Sequence, residues 1–136
     1  NEIMHIMDLY PTLARVGGTE PPQDRLIDGV DQTDFMTGRQ EKSNRESFIC
    51  YVGSEIFGIK WRNWKITRKE LERGSDPIKT FGVWNIVNLI IDPKEELSEI
   101  YRLQNRWVMT PVSRLLEAHM QSLRDNPPVA PGTPDP

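Results

Sequence analysis

A single cysteine, Cys50, stands in the 136-residue chain, so neither an internal disulfide nor a cysteine-based metal site can be built from it. Its place in Ser47-Phe48-Ile49-Cys50-Tyr51-Val52 predicts a small packed residue, not a reactive thiol. No apolar run approaches the roughly 18 to 20 residues that cross a bilayer, which leaves a membrane-spanning role without support. Charge of one sign is never gathered. The 17 basic and 20 acidic residues are interspersed, the net charge is -3, and no block marks a nucleic-acid tail or a polybasic membrane patch. Neither nucleic acid nor membrane is an expected partner. The chain begins at Asn1, not Met, and an amphipathic pattern sets in with no signal-like segment before it, an opening that predicts a cut chain. At this length one modest domain is expected, burying about two-thirds of its unfolded surface.

What is present is patterned. Leu9, Leu13 and Val16 share one helical face and predict a helix over residues 3–16, with Asp8 as its N-cap, Pro11 in its first turn and Gly17-Gly18 as its stop. Glu20-Pro21-Pro22-Gln23 reads as a connector and a domain border. β-branched and aromatic residues predict strands over 46–52, 56–59, 64–67 and 81–91, the last halting at Asp92-Pro93. The tight turn between the second and third of these is expected to use Asn63 for its positive φ. Polar residues 68–79, with Gly74 and Pro77, read as an excursion from the hairpin. Thr110-Pro111 predicts a helix start, a cap followed by proline, and Val112, Leu115, Leu116, Met120 and Leu123 form the stripe that should cover one sheet face. After Asn126 the proline-rich residues 127–136 cannot continue a helix and predict an extended tail.

Four segments occur in a telling order. Asp8-Leu9-Tyr10-Pro11-Thr12-Leu13-Ala14-Arg15-Val16-Gly17-Gly18 leads to Asp24-Arg25-Leu26-Ile27-Asp28-Gly29-Val30-Asp31, then to Phe57-Gly58-Ile59-Lys60-Trp61-Arg62-Asn63-Trp64-Lys65-Ile66, then to Val87-Asn88-Leu89-Ile90-Ile91-Asp92-Pro93-Lys94-Glu95-Glu96. Together they resemble the C-terminal end of type I sulfatases, in which a formylglycine made from Cys or Ser cleaves sulfate esters. Val87 stands where the family commonly has an aromatic. The closing Pro127-Pro128-Val129 and Pro131-Gly132-Thr133-Pro134-Asp135-Pro136 are similar to the ends of bacterial arylsulfatase-like proteins.

The resemblance implies an α+β fold, a small four-stranded antiparallel sheet packed by a C-terminal helix. Before it would come the last helix of an alkaline-phosphatase-like α/β domain that is missing here. Residues 1–23 would then close the catalytic domain, residues 24–126 would form the C-terminal subdomain, and residues 127–136 the tail. Calcium and formylglycine are implied for the full-length enzyme and not for this fragment. The implied partners are the missing N-terminal catalytic domain and a sulfate ester, and the implied location is periplasmic or secreted. Phosphonate and phosphate ester hydrolases of the superfamily share parts of this layout. No catalytic residue carries over. Formylglycine formation needs Cys or Ser followed by x-Pro-x-Arg, whereas Cys50 precedes Tyr51-Val52-Gly53-Ser54 and Ser113-Arg114 lacks the proline. The fragment is therefore expected to be structural and inactive alone; the other reading is a stand-alone binding or scaffold module with the same fold.

Individual residues suggest chemistry without compelling it. Asp24, Asp28, Asp31 and Asp34 are hard-cation donors by type, but lack the EF-hand spacing, and read as turn and cap carboxylates around Asp28-Gly29. His5 and His119 read as packed or surface imidazoles. Lys60, Arg62 and Lys65 form either a solvated strand edge or a basic edge that steers sulfate esters. Trp61, Trp64, Trp84 and Trp107 read first as core. Because the C-terminal subdomain borders the active-site cleft in the family it resembles, the resemblance implies Arg106 and Trp107 as substrate-cleft candidates, an aromatic wall with a cation beside it.

Overall fold

Four isoleucines, one per strand, stand opposite one another across an antiparallel sheet: Ile49 pairs with Ile59, Ile59 with Ile66, and Ile66 with Ile86. The strands are β1 (Ser47–Val52), β2 (Glu55–Trp61), β3 (Trp64–Glu70) and β4 (Lys79–Asn88), ordered β1-β2-β3-β4. In this computed structural model, residues 2–71, 73–96 and 104–127 are described; the expected tail lies outside them beyond Pro127.

Period-two alternation explains the row. Trp64 and Ile66 of β3 face the core while Lys65 and Thr67 face the other side, and Ile59, Ile66 and Ile86 are almost fully buried. Val108 and Val112 press onto this row from α3 (Met109–Asp125) and the 3-10 turn before it, with Met109 and Leu116 packed alongside. The helix thus covers one sheet face, as its apolar stripe requires. Burial of each such side chain contributes about 1.5–3 kcal/mol.

Before the sheet come a 3-10 turn, Ile6–Asp8, and two short helices, α1 (Leu9–Val16) and α2 (Thr33–Met36). The helix expected over 3–16 therefore starts later, because Ile3 is drawn into a bridge with Arg45 beside the entrance to β1. Asp8 is not its cap: its backbone is helical and its side chain makes no cap bond to α1. The residue with positive φ in the β2–β3 turn is Arg62 (50°), not Asn63: Arg62 is the first of the two residues between the paired Trp61 and Trp64, the position at which hairpin turns take positive φ. Lys69 pairs with Thr80 and Glu70 with Lys79, so the excursion expected over 68–79 shrinks to residues 71–78 and β4 begins before Phe81. Residues 89–91 leave the strand in a turn, with Asp92 N–H bonded to the Asn88 carbonyl. At the other end, Thr110 does not cap α3, which already runs from Met109 out of the Arg106–Val108 turn. Pro111 still falls in the first turn, where its missing N–H costs nothing.

Gly58 is needed at the sheet centre. A Cβ there would meet the Ile66 carbonyl at 2.6 Å and the Thr67 methyl at 2.9 Å. Gly58→Ala is expected to cost about 1–3 kcal/mol by overpacking, and Ile66→Ala about 2–5 kcal/mol by leaving a cavity. Equilibrium urea unfolding checks both; a change below about 0.5 kcal/mol in either would contradict this packing.

Candidate functional site

Two places combine exposed or charged groups with defined geometry: a junction around Asp8 and a tryptophan cluster at the β2–β3 turn. At the junction, Asp8 is wholly buried and Arg45 nearly so. Arg45 Nε donates to both carboxylate oxygens of Asp8 at 3.0 and 2.8 Å, and its Nη2 donates to Asp8 and, at 2.7 Å, to the Asp28 carbonyl. His5 N–H and Val30 N–H donate to the same carboxylate at 2.8 and 2.9 Å. Gly29 permits the approach, since a Cβ there would stand 2.2 Å from the Met7 carbonyl. A second layer runs from Thr12 Oγ1, which donates to the Asp8 carbonyl and accepts from Gln32 N–H, to the Gln32 side-chain oxygen, which accepts from Asn44 N–H.

Burial pushes the Asp8 carboxyl up, but the Arg45 hydrogen bond and the Val30 and His5 N–H groups outweigh it and hold the group below the ordinary carboxylate range. The sequence carried no mark of this pair, whose members lie 37 positions apart.

The tryptophan cluster is built by the tight turn. Trp61 and Trp64 pair across it, and Trp107, from the Arg106–Val108 turn, meets both edge-on with ring centroids 6.3 and 5.7 Å apart. Trp61, Trp64 and Trp84 are half-buried against the core, in line with the core reading, but Trp107 is 57% exposed and departs from it. The Arg62 guanidinium lies 5.1 Å from the Trp61 ring centre and 3.0 Å from Glu46 Oε1. Arg106 is exposed on the same turn as Trp107. The structure therefore brings Arg62 to the cluster, a neighbour the sequence placed only on a basic edge. Elsewhere on that edge, Lys65 holds Glu95 at 2.6 and 2.8 Å, and Lys60 donates to the Arg62 carbonyl.

The remaining candidates fall to structural roles. Asp31 and Asp34 engage Arg15, Asp31 also accepts from Thr33 N–H, and Asp24 pairs with Arg25. Burial raises the Asp31 carboxyl, and its bonds from Thr33 and Arg15 bring it down past the ordinary value. Among the described residues no group of three or more His, Cys, Asp or Glu side chains could hold a metal ion. Burial pushes the Cys50 thiol up, and the residues after it do not form the x-Pro-x-Arg sequence that formylglycine formation needs. His5 makes a tilted ring contact with Phe48 at 5.8 Å and His119 Nε2 lies 2.6 Å from the Tyr51 hydroxyl. Both line a groove of about 380 Å³ beside β1 and α3. On the uncovered sheet face, Cys50, Gly58, Thr67 and Asn85 line a hollow of about 580 Å³. Its lysines Lys65, Lys69 and Lys79 are paired with Glu95, Glu55 and Glu70. Among the described residues no helix is long and apolar enough to cross a membrane.

Asp8→Asn leaves the Arg45 charge buried without its partner and is expected to cost about 3–5 kcal/mol. Because the native carboxyl ionises below its unfolded value of about 3.9, the unfolded chain takes up this proton first as the pH falls. The stabilisation is whole above about pH 5 and is lost as the pH drops below about 4 through the native value. Urea midpoints measured across this window should fall less steeply with acid for Asp8→Asn than for the parent; parallel acid limbs would contradict the assignment.

Comparison with known proteins follows this geometry. No family model matches the chain. It is 36% identical to the steryl-sulfatase of Mus musculus over 64 residues, which make up 44% of this chain and 10% of that protein. It is 39% identical to the arylsulfatase H of Canis lupus familiaris over 61 residues, 45% of this chain and 11% of that protein. The chain thus spans about a tenth of the length of these relatives. Among solved structures, the PsFucS1 sulfatase from Pseudoalteromonas sp. superposes on 96% of the chain with a TM-score of 0.80 and 26% identity, using 28% of its own length. A Bacteroides thetaiotaomicron protein from the metabolism of multiple glycosaminoglycans superposes on 82% with a TM-score of 0.61 and 21% identity, using 24% of its own, which bears on the fold alone. Over nearly half of its sequence the chain is similar to these sulfatases, and its four-stranded α+β fold matches part of the solved sulfatase structures.

Proposed function

We propose that this chain is the C-terminal portion of an arylsulfatase-like enzyme of bacterial type, a subdomain that borders the active-site cleft and performs no chemistry alone. The observation that carries the reading is that nearly the whole chain superposes on little more than a quarter of a bacterial sulfatase. The catalytic apparatus, with its calcium and formylglycine, then belongs to the sequence before it. In this reading residues 1–23 close the catalytic domain and residues 24–126 form the subdomain, with Asp8 and Arg45 clamping one to the other. Arg106 and Trp107 stand at the cleft.

The face of α1 supports a missing partner. Leu9, Leu13 and Val16, with Ile6 and Tyr10 beside them, are all exposed, Leu13 and Val16 by 64% and 65%. A self-contained module would bury such a stripe, and an upstream catalytic domain is the partner that would cover it.

The purified 136-residue chain is expected to release no alcohol from an aryl sulfate, with or without calcium, while the full-length gene product does so in a calcium-dependent way. Calcium-dependent turnover by the short chain would contradict the proposal. So would a full-length product that cleaves phosphate or phosphonate esters and leaves sulfate esters intact.

A further inference from the structure

We infer that Asp8 and Arg45 are a positioning pair for the enzyme: by holding each other they fix the angle at which the C-terminal subdomain meets the catalytic domain, and with it the place of the subdomain's wall at the cleft. The inference rests on the function proposed above and adds a catalytic consequence to the clamp. Asp8 ends the turn that runs straight into α1, the helix whose apolar face awaits the upstream domain. Arg45 lies two residues before β1, the first strand of the sheet. Between them the chain passes through Gly17-Gly18 and the connector Glu20–Gln23, largely exposed and without helix or strand. A connector of this kind sets reach, not angle.

The pair sets an angle because of its chemistry. The guanidinium is a planar fork: Nε and Nη2 engage the Asp8 carboxylate while Nη2 also donates to the Asp28 carbonyl at 2.7 Å, so direction is fixed as well as distance. Turning one segment against the other would strand two charges away from water, which penalises every other arrangement. Gly29 adds a steric stop, since its backbone already lies so near Met7 that a Cβ would stand 2.2 Å from the Met7 carbonyl. Arg15 also reaches across the junction, to Asp31 and Asp34, but its side chain is 54% exposed and such a pair contributes little. From Arg45 the constraint passes through the backbone to the cleft wall. Glu46, next in the chain, accepts from Arg62 N–H at 2.8 Å, and Ser47 pairs with Trp61. Arg62 lies in the turn between Trp61 and Trp64, the two rings against which Trp107 sits. A shift at Arg45 therefore carries that turn and the Arg106–Val108 turn with it.

The test is steady-state turnover by the full-length gene product of two esters, phenyl sulfate and 4-biphenylyl sulfate, whose second ring extends away from the reacting sulfate. Arg45→Lys keeps the charge and loses the fork. It should raise KM for the biphenylyl ester about fivefold or more, with KM for phenyl sulfate and kcat for both esters within about twofold of the parent. Arg15→Gln should leave these constants in place. Lost stability alone would lower the active fraction, and hence kcat for both esters in the same ratio, with KM unchanged; that result would overturn the inference. If Arg45→Lys does not fold, the double variant Asp8→Asn with Arg45→Gln, which buries no charge, takes its place. Failure of that variant too, while Arg15→Gln folds, would reduce the pair to a folding element and overturn the positioning role. A parent that turns over neither ester sinks the sulfatase reading and this inference with it, whereas an active parent whose constants are indifferent to Arg45→Lys sinks the inference alone.

Discussion

The buried pair of Asp8 and Arg45 is the constraint on which the arrangement of the chain depends. One carboxylate collects the amide of His5, the amide of Val30 and the guanidinium that stands at the entrance to β1. Three stretches far apart in sequence are thereby fixed at one point. The guanidinium also holds the Asp28 carbonyl, and Gly29 supplies the backbone room for that contact. In water such a pair would contribute little; buried, each charge is costly without the other, so the junction has one acceptable geometry. The price of that specificity is sensitivity to acid, since the carboxylate must stay ionised.

From this anchor the sheet follows by ordinary means. Hairpin connections order the strands as they occur in the chain, alternation sends Ile49, Ile59, Ile66 and Ile86 to one side, and α3 closes over them. The opposite side keeps its lysines in ion pairs, and no described helix or strand packs over it. The apolar face of α1 is exposed. A packed core beside an exposed apolar helix face is the physical observation that the proposal of a missing catalytic domain explains.

Much of the sheet was legible in the sequence because its signals are local. Alternation in Trp64-Lys65-Ile66-Thr67 and the stripe from Val112 to Leu123 each lie within one element, and the structure carries a strand and a helix there. Boundaries were less legible where a distant group decides them. The Ile3–Arg45 bridge shortens the first helix, and the pairing of Lys69 and Glu70 with β4 extends the hairpin into residues that look like loop. The positive φ went to Arg62 despite the better local suitability of Asn63, because the pairing of Trp61 with Trp64 makes Arg62 the first residue of a two-residue turn. For the candidate site, the sequence offered Arg106 and Trp107 but not their setting. Trp61 and Trp64 sit more than forty residues earlier, and Arg62 joins them only through the turn. Asp8 forms no helix cap for the same reason: its partner comes from the start of the sheet.

The mass of the native gene product in its own cells tests the central claim most directly. The account expects a protein more than three times the 15.8 kDa of this chain, as its 28% share of the Pseudoalteromonas sulfatase requires, with a Cys or Ser in an x-Pro-x-Arg context upstream. A native product of 15.8 kDa would contradict it, leaving a module that keeps the fold without the enzyme.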